Sequence, residues 1–508
     1  MTSVSEPAPT RTGVPTPVLA PTTLGPVRGL RDADGVARFL GIPYGRPPIG
    51  PLRFAAPVPC EPWTEPLDAT AYGPTAQRRP LGEVTIIPEP SVPGAGVLNL
   101  NVFTPRLPAG AETAPAGTVP TEGLPVLVWI HGGGYVAGSA ASPWYDGAAF
   151  NRDGVIVVSV GYRLGVEGFL ALPDAPDNRA VRDWIAALTW VRDNIAGFGG
   201  DPARVTIAGQ SAGGGAVQTL LAAPAAADLF RSAISVSGAV MEPQDRATAE
   251  LVARRFAERT GVPATAAALT PLTDDELLDL QAAIPVTGPL PDADGVPGMP
   301  LAPFADGEVI PVPVMDVLTD GSGPVGRVPL MLGFTAHEFN LAAPPGADEA
   351  LDRAILGALG LDAPAQAAYA KALGVEDTGA LRAQAVTDAL FRAPGLRIAE
   401  GRAAHAAPTW LYEFRWESPV MGSAFHCLDL PFAFDLLAAP NVTAVAGERP
   451  PQALADAVHG AWVAFVRDGA PGPDWPAYSA EGRETRLWDE TVTTPSDPLG
   501  AIRAVWLD

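Results

Sequence analysis

The sequence predicts an α/β fold in which helices flank a mostly parallel central sheet. Two observations carry this prediction: short apolar runs rich in Val and Ile recur along the chain, and helical patterns separate them. Near-continuous apolar strands are typical of sheets that are covered on both faces. The predicted strands are 125–130, 155–160, 205–208, 233–236, 328–332 and 411–416. No internal repeat of solenoid or propeller length is present.

Two amphipathic helices are predicted where apolar residues recur at spacings of three and four. The first covers 181–195, and Gly197 is its expected C-terminal cap. The second covers 454–465 and ends near Gly469. We expect this second helix to close the fold.

The chain of 508 residues is predicted to form one catalytic domain, residues 21–508, rather than several. Segment 241–404 mixes helical stretches with Pro- and Gly-rich ones, yet it contains the predicted strand 328–332. It is therefore predicted as a large helical insertion into the sheet. Residues 1–20 are Pro-rich and predicted to be flexible, and residues 106–123 are predicted to be a surface loop.

Charge and composition limit the possible partners and the compartment. The formal net charge of −23 repels phosphate backbones, so nucleic acid is excluded as an expected partner. The N-terminus lacks the apolar core of a signal peptide, and no stretch approaches the 18 apolar residues of a membrane span. Cys60 and Cys427 are too few for a disulfide scaffold. These features favour a soluble cytoplasmic protein.

A serine flanked by glycines is the candidate nucleophile. The motif GQSAG at 209–213, with Ser211 at its centre, follows a predicted strand and precedes a predicted helix at 214–222. A serine on such a turn projects its hydroxyl from the carboxyl end of the sheet. The helix start also directs N–H groups at developing negative charge. Because Gly, Ser and Ala are abundant here, the motif alone also fits an ordinary glycine-rich helix start.

A glycine loop precedes this motif in the chain. The sequence HGGGY at 131–135 comes directly after the strand 125–130. Attack on an ester creates an oxyanion, and consecutive glycines allow N–H donors to converge on it. We expect the donors to be Gly133, Gly134 and Ala212. A flexible turn is the alternative. It is the weaker one, because a chain rarely carries the HGGGY and GQSAG motifs at strand ends and in this order by chance.

The serine needs a base, and the base needs an acid, which are expected after it in the order acid then histidine. Glu338 follows the predicted strand 328–332, and His426 lies in a loop after the strand 411–416. His337 is a weaker candidate base, because adjacent side chains point away from each other. The remaining histidines are expected to be non-catalytic: His131, His405 and His459. The pattern favours Glu338 and His426 and leaves His337 open.

The chain resembles the type B carboxylesterase family, which includes bacterial para-nitrobenzyl esterases and the cholinesterases. The resemblance covers residues 25–469, and its most specific block is 178–213. Further matching segments are FLGIPY at 39–44, PLRF at 51–54, LNVFTP at 100–105 and FRSAI at 230–234. The resemblance implies the α/β-hydrolase fold.

The resemblance also implies a role for individual residues. The family's nucleophile, acid and base fall on Ser211, Glu338 and His426, and its oxyanion donors fall on Gly133, Gly134 and Ala212. Its supporting serine, which forms a hydrogen bond near the acid, falls on Ser237. Three aromatic residues lie near catalytic positions or in the insertion and are predicted to line the substrate pocket, with core packing as the alternative: Tyr135, Phe391 and Phe425.

Three features depart from the family pattern. The residue before the nucleophile is commonly Glu in the family, and here it is Gln210, which is predicted to be a supporting residue. The replacement removes a negative charge beside the serine and so weakens any preference for cationic substrates. Cys427 replaces the glycine-rich continuation after the base. Ala76 and Val97 stand where the cysteines of the first family disulfide would be, which favours a reducing compartment.

These observations together predict a bacterial serine carboxylesterase that hydrolyses neutral or bulky esters through an acyl-enzyme. The expected partner is a small-molecule ester, without metal or cofactor, and the sequence does not distinguish a monomer from a homodimer. Two alternatives stay open. The same triad could cleave carbamates or amides, and some family members are non-catalytic binding proteins, although these typically lose the nucleophile that Ser211 retains.

Overall fold

The strands of the central sheet were located in a computed structural model, which describes residues 14–80, 85–108, 123–238, 244–286, 290–321, 324–340 and 348–507. The strands are β1 Thr16–Pro21, β2 Pro26–Arg31, β3 Ala37–Pro43, β4 Leu67–Asp68, β5 Asn99–Thr104, β6 Leu124–Ile130, β7 Ile156–Val160, β8 Gly200–Gln210, β9 Ser232–Val236, β10 Gln244–Asp245, β11 Phe304–Ala305, β12 Leu330–Thr335, β13 Thr409–Phe414 and β14 Thr485–Trp488.

Within the described ranges, twelve of these strands form one sheet in the order β1-β2-β3-β5-β7-β6-β8-β9-β12-β13-β14, with β4 paired to β2. In this order, the strands β7, β6, β8, β9, β12, β13 and β14 each pair parallel with the next strand. The strands β1, β2, β3, β5 and β7 each pair antiparallel with the next strand. The carboxyl ends of the parallel strands therefore meet at one edge of the sheet, where open α/β sheets bind ligands. This arrangement shows the predicted α/β-hydrolase class.

Helices cover both faces of the sheet. They are α1 Ala148–Arg152, α2 Gly165–Phe169, α3 Arg179–Asn194, α4 Ala212–Ala222, α5 Arg246–Thr260, α6 Ala266–Leu269, α7 Asp274–Gln281, α8 Val314–Asp320, α9 Glu349–Ala358, α10 Ala363–Leu373, α11 Thr378–Thr387, α12 Ala393–Ala403, α13 Leu430–Ala433, α14 Val442–Ala446, α15 Gln452–Asp468 and α16 Gly500–Trp506. A π-helical turn, Asp388–Arg392, joins α11 to α12.

The alternation of side chains along β6 shows why the sheet has an apolar core on each of its two faces. Val128 and Ile130 pack into one core together with α3, α4, α8 and α12. Leu127 and Trp129 pack into the other core together with α13 and α15. Because successive side chains of a strand point to opposite faces, a run that is apolar at every position must be covered on both sides.

Element boundaries differ from prediction where pairing between distant segments decides them. Of the predicted flexible segment 1–20, residues 1–13 lie outside the described residues, whereas residues 16–20 belong to β1, which pairs antiparallel with β2. The helix predicted over 454–465 does not close the fold, because β14 pairs with β13 beyond it. The strand predicted at 328–332 begins two residues and ends three residues later in the structure, and the strand predicted at 411–416 lies two residues earlier.

The cap predicted at Gly197 is also wrong. After α3 the chain continues through a 3₁₀ turn, Ile195–Phe198, and Gly199 takes the left-handed conformation with φ +89°. Gly197 has a different requirement: a Cβ there would lie 2.2 Å from the Pro21 carbonyl oxygen of β1. A close approach to another segment, rather than the helix end, therefore accounts for this glycine.

Two further expectations concern segments and spans. Strand β12 lies inside the predicted insertion 241–404 and joins the main sheet; the assignment of 21–508 to one domain stays a prediction. Most of the predicted loop 106–123 lies outside the described residues. None of the helices in the described ranges combines the length and apolar character needed to cross a bilayer.

Candidate active site

Ser211 lies on a sharp turn between the end of β8 and the start of α4. Its backbone is left-handed, with φ +58° and ψ −125°, a conformation that costs a non-glycine residue about 1–3 kcal/mol. The turn is possible because Gly213 is small: a Cβ there would lie 2.0 Å from the Ile130 carbonyl oxygen. The Ser211 N–H donates to the Val236 carbonyl at 2.9 Å and thereby ties the turn to β9.

The glycine loop packs directly against this turn. A Cβ on Gly132 would lie 3.0 Å from the Ser211 Cβ. Gly133 and Gly134 have φ of +115° and +58°, so their N–H groups turn away from any regular hydrogen-bond pattern. Neither N–H donates to a described residue. Two unused donors thus lie beside the candidate nucleophile.

A third donor comes from the start of α4. The first N–H groups of a helix have no intrahelical partner. The side chain of Ser211, the residue before the helix, does not cap them. The N–H of Ala212 is therefore available to an oxyanion, and the positive end of the helix dipole favours charge there.

Glu338 and His426 form a buried pair at the same edge of the sheet. They lie in the loops after β12 and β13, and Glu338 Oε2 contacts His426 Nδ1. The second carboxylate oxygen accepts the Thr335 N–H at 2.8 Å. The His426 N–H also donates to the Glu338 carbonyl at 2.9 Å, which locks the two loops together. A carboxylate at Nδ1 holds the proton on that nitrogen and leaves Nε2 as the acceptor.

The surroundings of His426 favour its protonated form. Burial alone lowers the pKa of this imidazole, but the interactions with Cys427 and the Glu338 carboxylate outweigh burial and raise the pKa well above its ordinary value. Two phenyl rings hold the imidazole on its sides, with ring centroids 4.9 Å away for Phe339 and 5.1 Å away for Phe391. The two rings therefore restrict the orientation of the imidazole, while the neighbouring groups raise its pKa.

The free nitrogen of this imidazole faces an amide. His426 Nε2 lies 3.0 Å from Gln210 Nε2, and Ser211 Oγ forms no hydrogen bond with a described residue. Ser211, Gln210 and His426 nevertheless line the same cavity. The structure thus brings the three predicted triad residues to one site without a hydrogen bond between serine and histidine.

Three of the other histidines have different partners. His131 stacks on Tyr162, and burial lowers its pKa to about 4. His459 Nε2 lies 3.0 Å from Asp153 Oδ2. His337, the weaker candidate base, accepts the N–H of a residue in the β13–α13 loop with its Nδ1 at 3.2 Å. None of these three imidazoles lines the cavity that contains Ser211.

That cavity has a volume of about 300 Å³ and walls that are mainly apolar. Of the predicted pocket residues, Phe391 lines it. Tyr135 and Phe425 are not among its described lining residues: Tyr135 is buried against Phe169 at 4.9 Å between ring centroids, and Phe425 belongs to the second core. The apolar and aromatic lining residues that the sequence did not reveal are Ile86, Ile87, Tyr145, Val286, Met299, Phe339 and Leu390.

Most of these unpredicted lining residues come from segments outside the strand-end loops. Ile86 and Ile87 precede β5, and Met299 precedes β11. Leu390 lies with Phe391 on the π-helical turn, a type of irregularity that is frequent at functional sites. The strand ends thus supply the reactive groups, while distant segments supply the walls.

The predicted support from Ser237 is not seen in its hydrogen bonds. Its side chain is buried and its Oγ has no hydrogen-bond partner. Its N–H donates to the Gly333 carbonyl at 2.6 Å, and its backbone is left-handed with φ +41°. This residue ties β9 to β12 through its backbone, and the hydroxyl does not reach the acid.

Nearly the whole chain is similar to known proteins. Residues 16–497 match the model of the carboxylesterase family. The chain is 34% identical to the para-nitrobenzyl esterase of Bacillus subtilis (strain 168), over 94% of this chain and 96% of that protein. It is 33% identical to the phenmedipham hydrolase of Pseudarthrobacter oxydans, over 91% and 93% of the two chains. A solved PNB esterase structure superposes with a TM-score of 0.82 at 33% identity, covering 96% of this chain and 99% of that one.

Proposed function

Because this chain belongs to the carboxylesterase family, we propose that Ser211, His426 and Glu338 form its catalytic triad. The chain is a serine carboxylesterase, a carboxylic-ester hydrolase that acts through an acyl-enzyme. The observation that carries the assignment is the Glu338–His426 pair, which opens onto the cavity that contains Ser211 and two unused N–H groups.

Acylation follows from these positions. Ser211 Oγ attacks the ester carbonyl carbon while its proton passes to His426 Nε2. The carbonyl oxygen becomes an oxyanion, which accepts hydrogen bonds from the N–H groups of Gly133, Gly134 and Ala212. The carbon–oxygen bond to the alcohol then breaks, and the proton on Nε2 moves to the departing alkoxide. Glu338 stabilises the imidazolium between these two transfers and remains ionised itself.

Deacylation repeats the sequence with water in place of the serine hydroxyl. His426 Nε2 takes a proton from water, and the hydroxide attacks the acyl carbon. Collapse of the second tetrahedral intermediate breaks the bond to Ser211 Oγ, which regains its proton from the imidazolium. The products are a carboxylic acid and an alcohol.

The walls of the cavity favour neutral, apolar esters. Among the described lining residues, Glu89 is the one carboxylate. Its Oε2 accepts the Gly138 N–H at 2.9 Å and lies 3.2 Å from Arg78 Nε, so its charge is already satisfied within the protein. No unpaired charge in the described lining would attract a charged substrate. A cavity of about 300 Å³ admits esters with a bulky acyl or alcohol group.

We also propose that the protein works in a reducing compartment such as the bacterial cytoplasm. Cys60 and Cys427 are both free thiols, and they are the two cysteines of the chain. Disulfides persist mainly in oxidising compartments. Fractionation of the source cells, with esterase activity followed in each fraction, tests this location.

The triad is tested by turnover of para-nitrophenyl butyrate together with labelling by a fluorophosphonate. We expect wild type to hydrolyse the ester and to gain one adduct on Ser211, and Ser211→Ala to do neither. Ser139→Ala is the matched control, because Ser139 lines the same cavity but its Oγ donates to the Pro90 carbonyl. Equal turnover by Ser211→Ala and wild type, or an adduct on Ser139, would overturn the assignment. Phenmedipham serves as a second substrate, since one relative is named for its hydrolysis.

A further inference from the structure

The side chain of Gln210 occupies the place where the proposed nucleophile should bind the base. Gln210 ends β8, is 1% exposed and immediately precedes Ser211. Its amide nitrogen lies 3.0 Å from His426 Nε2. The proton of the neutral imidazole is on Nδ1, toward Glu338, so Nε2 accepts and the amide N–H of Gln210 donates.

We propose that Gln210 is a positioning residue that withholds His426 from Ser211 in the free enzyme and releases it when an ester fills the cavity. This inference rests on the proposed triad and adds a step to it. Nε2 of a neutral imidazole has one lone pair in the ring plane, so it cannot accept fully from the amide and from the serine hydroxyl at once. The two donors therefore compete.

The chemistry of the amide suits this exchange. When Nε2 becomes protonated, it changes from acceptor to donor, and the NH₂ of Gln210 no longer fits it. Rotation of the amide by half a turn presents the oxygen Oε1 instead, which accepts from Nε2–H. One uncharged side chain can thus serve both protonation states, whereas a carboxylate at this position would favour the imidazolium alone.

The groups around His426 determine how this contact affects titration. Glu338 lies against Nδ1, Cys427 follows in the chain, and Asp429 is buried three residues after His426, where its Oδ2 accepts from Tyr412 Oη at 2.9 Å. Burial and the charge of Glu338 raise the pKa of Asp429 to about 7. A hydrogen bond donated to Nε2 by Gln210 stabilises neutral His426 and so lowers its pKa, whereas the acidic groups around the imidazole raise that pKa.

Substitution of Gln210 therefore has a signature in the pH profile of kcat/KM, whose acid limb reports the free enzyme. Gln210→Met keeps the length of the side chain and removes the donor. We expect its acid limb to move up by about 0.7 pH unit, and its acylation rate on the plateau to rise about fivefold, the effects of losing a hydrogen bond of about 1 kcal/mol. Gln210→Glu should move the acid limb up by more than one unit, because it adds a charge that stabilises the imidazolium.

The measurement is the rate of phosphonylation by a small neutral fluorophosphonate, with kcat/KM for para-nitrophenyl butyrate, from pH 5 to pH 9. Gln366→Met is the matched control, since this buried glutamine donates to the Leu361 carbonyl at 2.8 Å far from the base in the chain, and its acid limb should not move. If Gln210→Met does not fold, Gln210→Glu, which has the same shape as the native residue, carries the test alone.

Two results would overturn the inference: acid limbs of both Gln210 variants that coincide with wild type, or a plateau rate that falls in Gln210→Met. The first would show that the amide does not interact with the base in solution, and the second that it assists the base instead of withholding it. Failure of the triad assignment looks different, because wild type itself would then give no adduct on Ser211.

Discussion

Replacing Glu338 by Gln is expected to reduce kcat about 10³- to 10⁴-fold while the fold is retained. The reason lies in the two oxygens of the carboxylate. Oε1 accepts the Thr335 N–H at 2.8 Å, and Oε2 contacts His426 Nδ1. An amide has a single oxygen. Because the Thr335 N–H can only donate, the amide oxygen stays there and the NH₂ group turns toward Nδ1.

The histidine then adopts the wrong tautomer. Nδ1 must accept from the new NH₂ group, so the proton of neutral His426 moves to Nε2, which can no longer take the proton of Ser211. Turning the amide the other way would leave the buried Thr335 N–H facing an NH₂ group, at a cost of about 1–3 kcal/mol. The loss of kcat corresponds to about 4–5.5 kcal/mol of transition-state stabilisation.

The assay is single-turnover hydrolysis of para-nitrophenyl butyrate, with thermal unfolding to verify the fold. Glu338→Asp is the comparison, because it keeps both oxygens and the charge at a shorter reach and should lose less activity than Glu338→Gln. A folded Glu338→Gln variant that retains more than a tenth of wild-type kcat would refute the reasoning. So would a Glu338→Asp variant that is less active than Glu338→Gln.

Three further outcomes follow from the structure. The acid limb of kcat/KM should lie above pH 6.5, because the raised pKa of His426 means that protonation removes the base as pH falls; a limb near pH 5 would contradict this. Cys427 has φ +73°, so Cys427→Gly should raise the free energy of unfolding by about 1 kcal/mol relative to Cys427→Ala, measured in urea, and equal stability would remove the strain argument. Gly213→Ala should abolish activity or folding, because its Cβ would meet the Ile130 carbonyl at 2.0 Å, whereas Gly357→Ala, with no atom within 4 Å, should be tolerated in the same expression and activity screen.

The reactive loops were predictable because their geometry is local. Ser211 requires a left-handed backbone on a turn between strand and helix, and glycines on either side are the residues that permit such a turn. The conformation of the loop with Gly133 and Gly134 was likewise predictable, because glycines tolerate the positive φ that both residues adopt. Glu338 and His426 could be predicted because each follows an apolar strand of a parallel sheet, and such strands end at one edge.

The differences between the predicted and the observed positions have another cause, which is contact between segments far apart in the chain. β1 forms because β2 is beside it, although its own sequence is Pro-rich. Tyr135 follows the glycine loop, yet it packs inward against Phe169, because the loop turns its side chain away from the cavity. No local pattern carries this information, since the direction of a side chain at an irregular turn depends on what packs against it.

The sequence by itself determined the fold class, the glycine-rich motifs and the order of the proposed nucleophile, acid and base, because these depend on residue type and on periodicity along the chain. Tertiary structure alone decided the walls of the cavity and the partner of the base. Leu390 and Phe391 reach the site on a π-helical turn, and Gln210 rather than Ser211 contacts His426 Nε2. Packing between remote segments determines both the walls and this contact. The atoms of Gln210 and His426 that lie 3.0 Å apart belong to residues separated by 216 positions, and no local sequence pattern indicates that they meet.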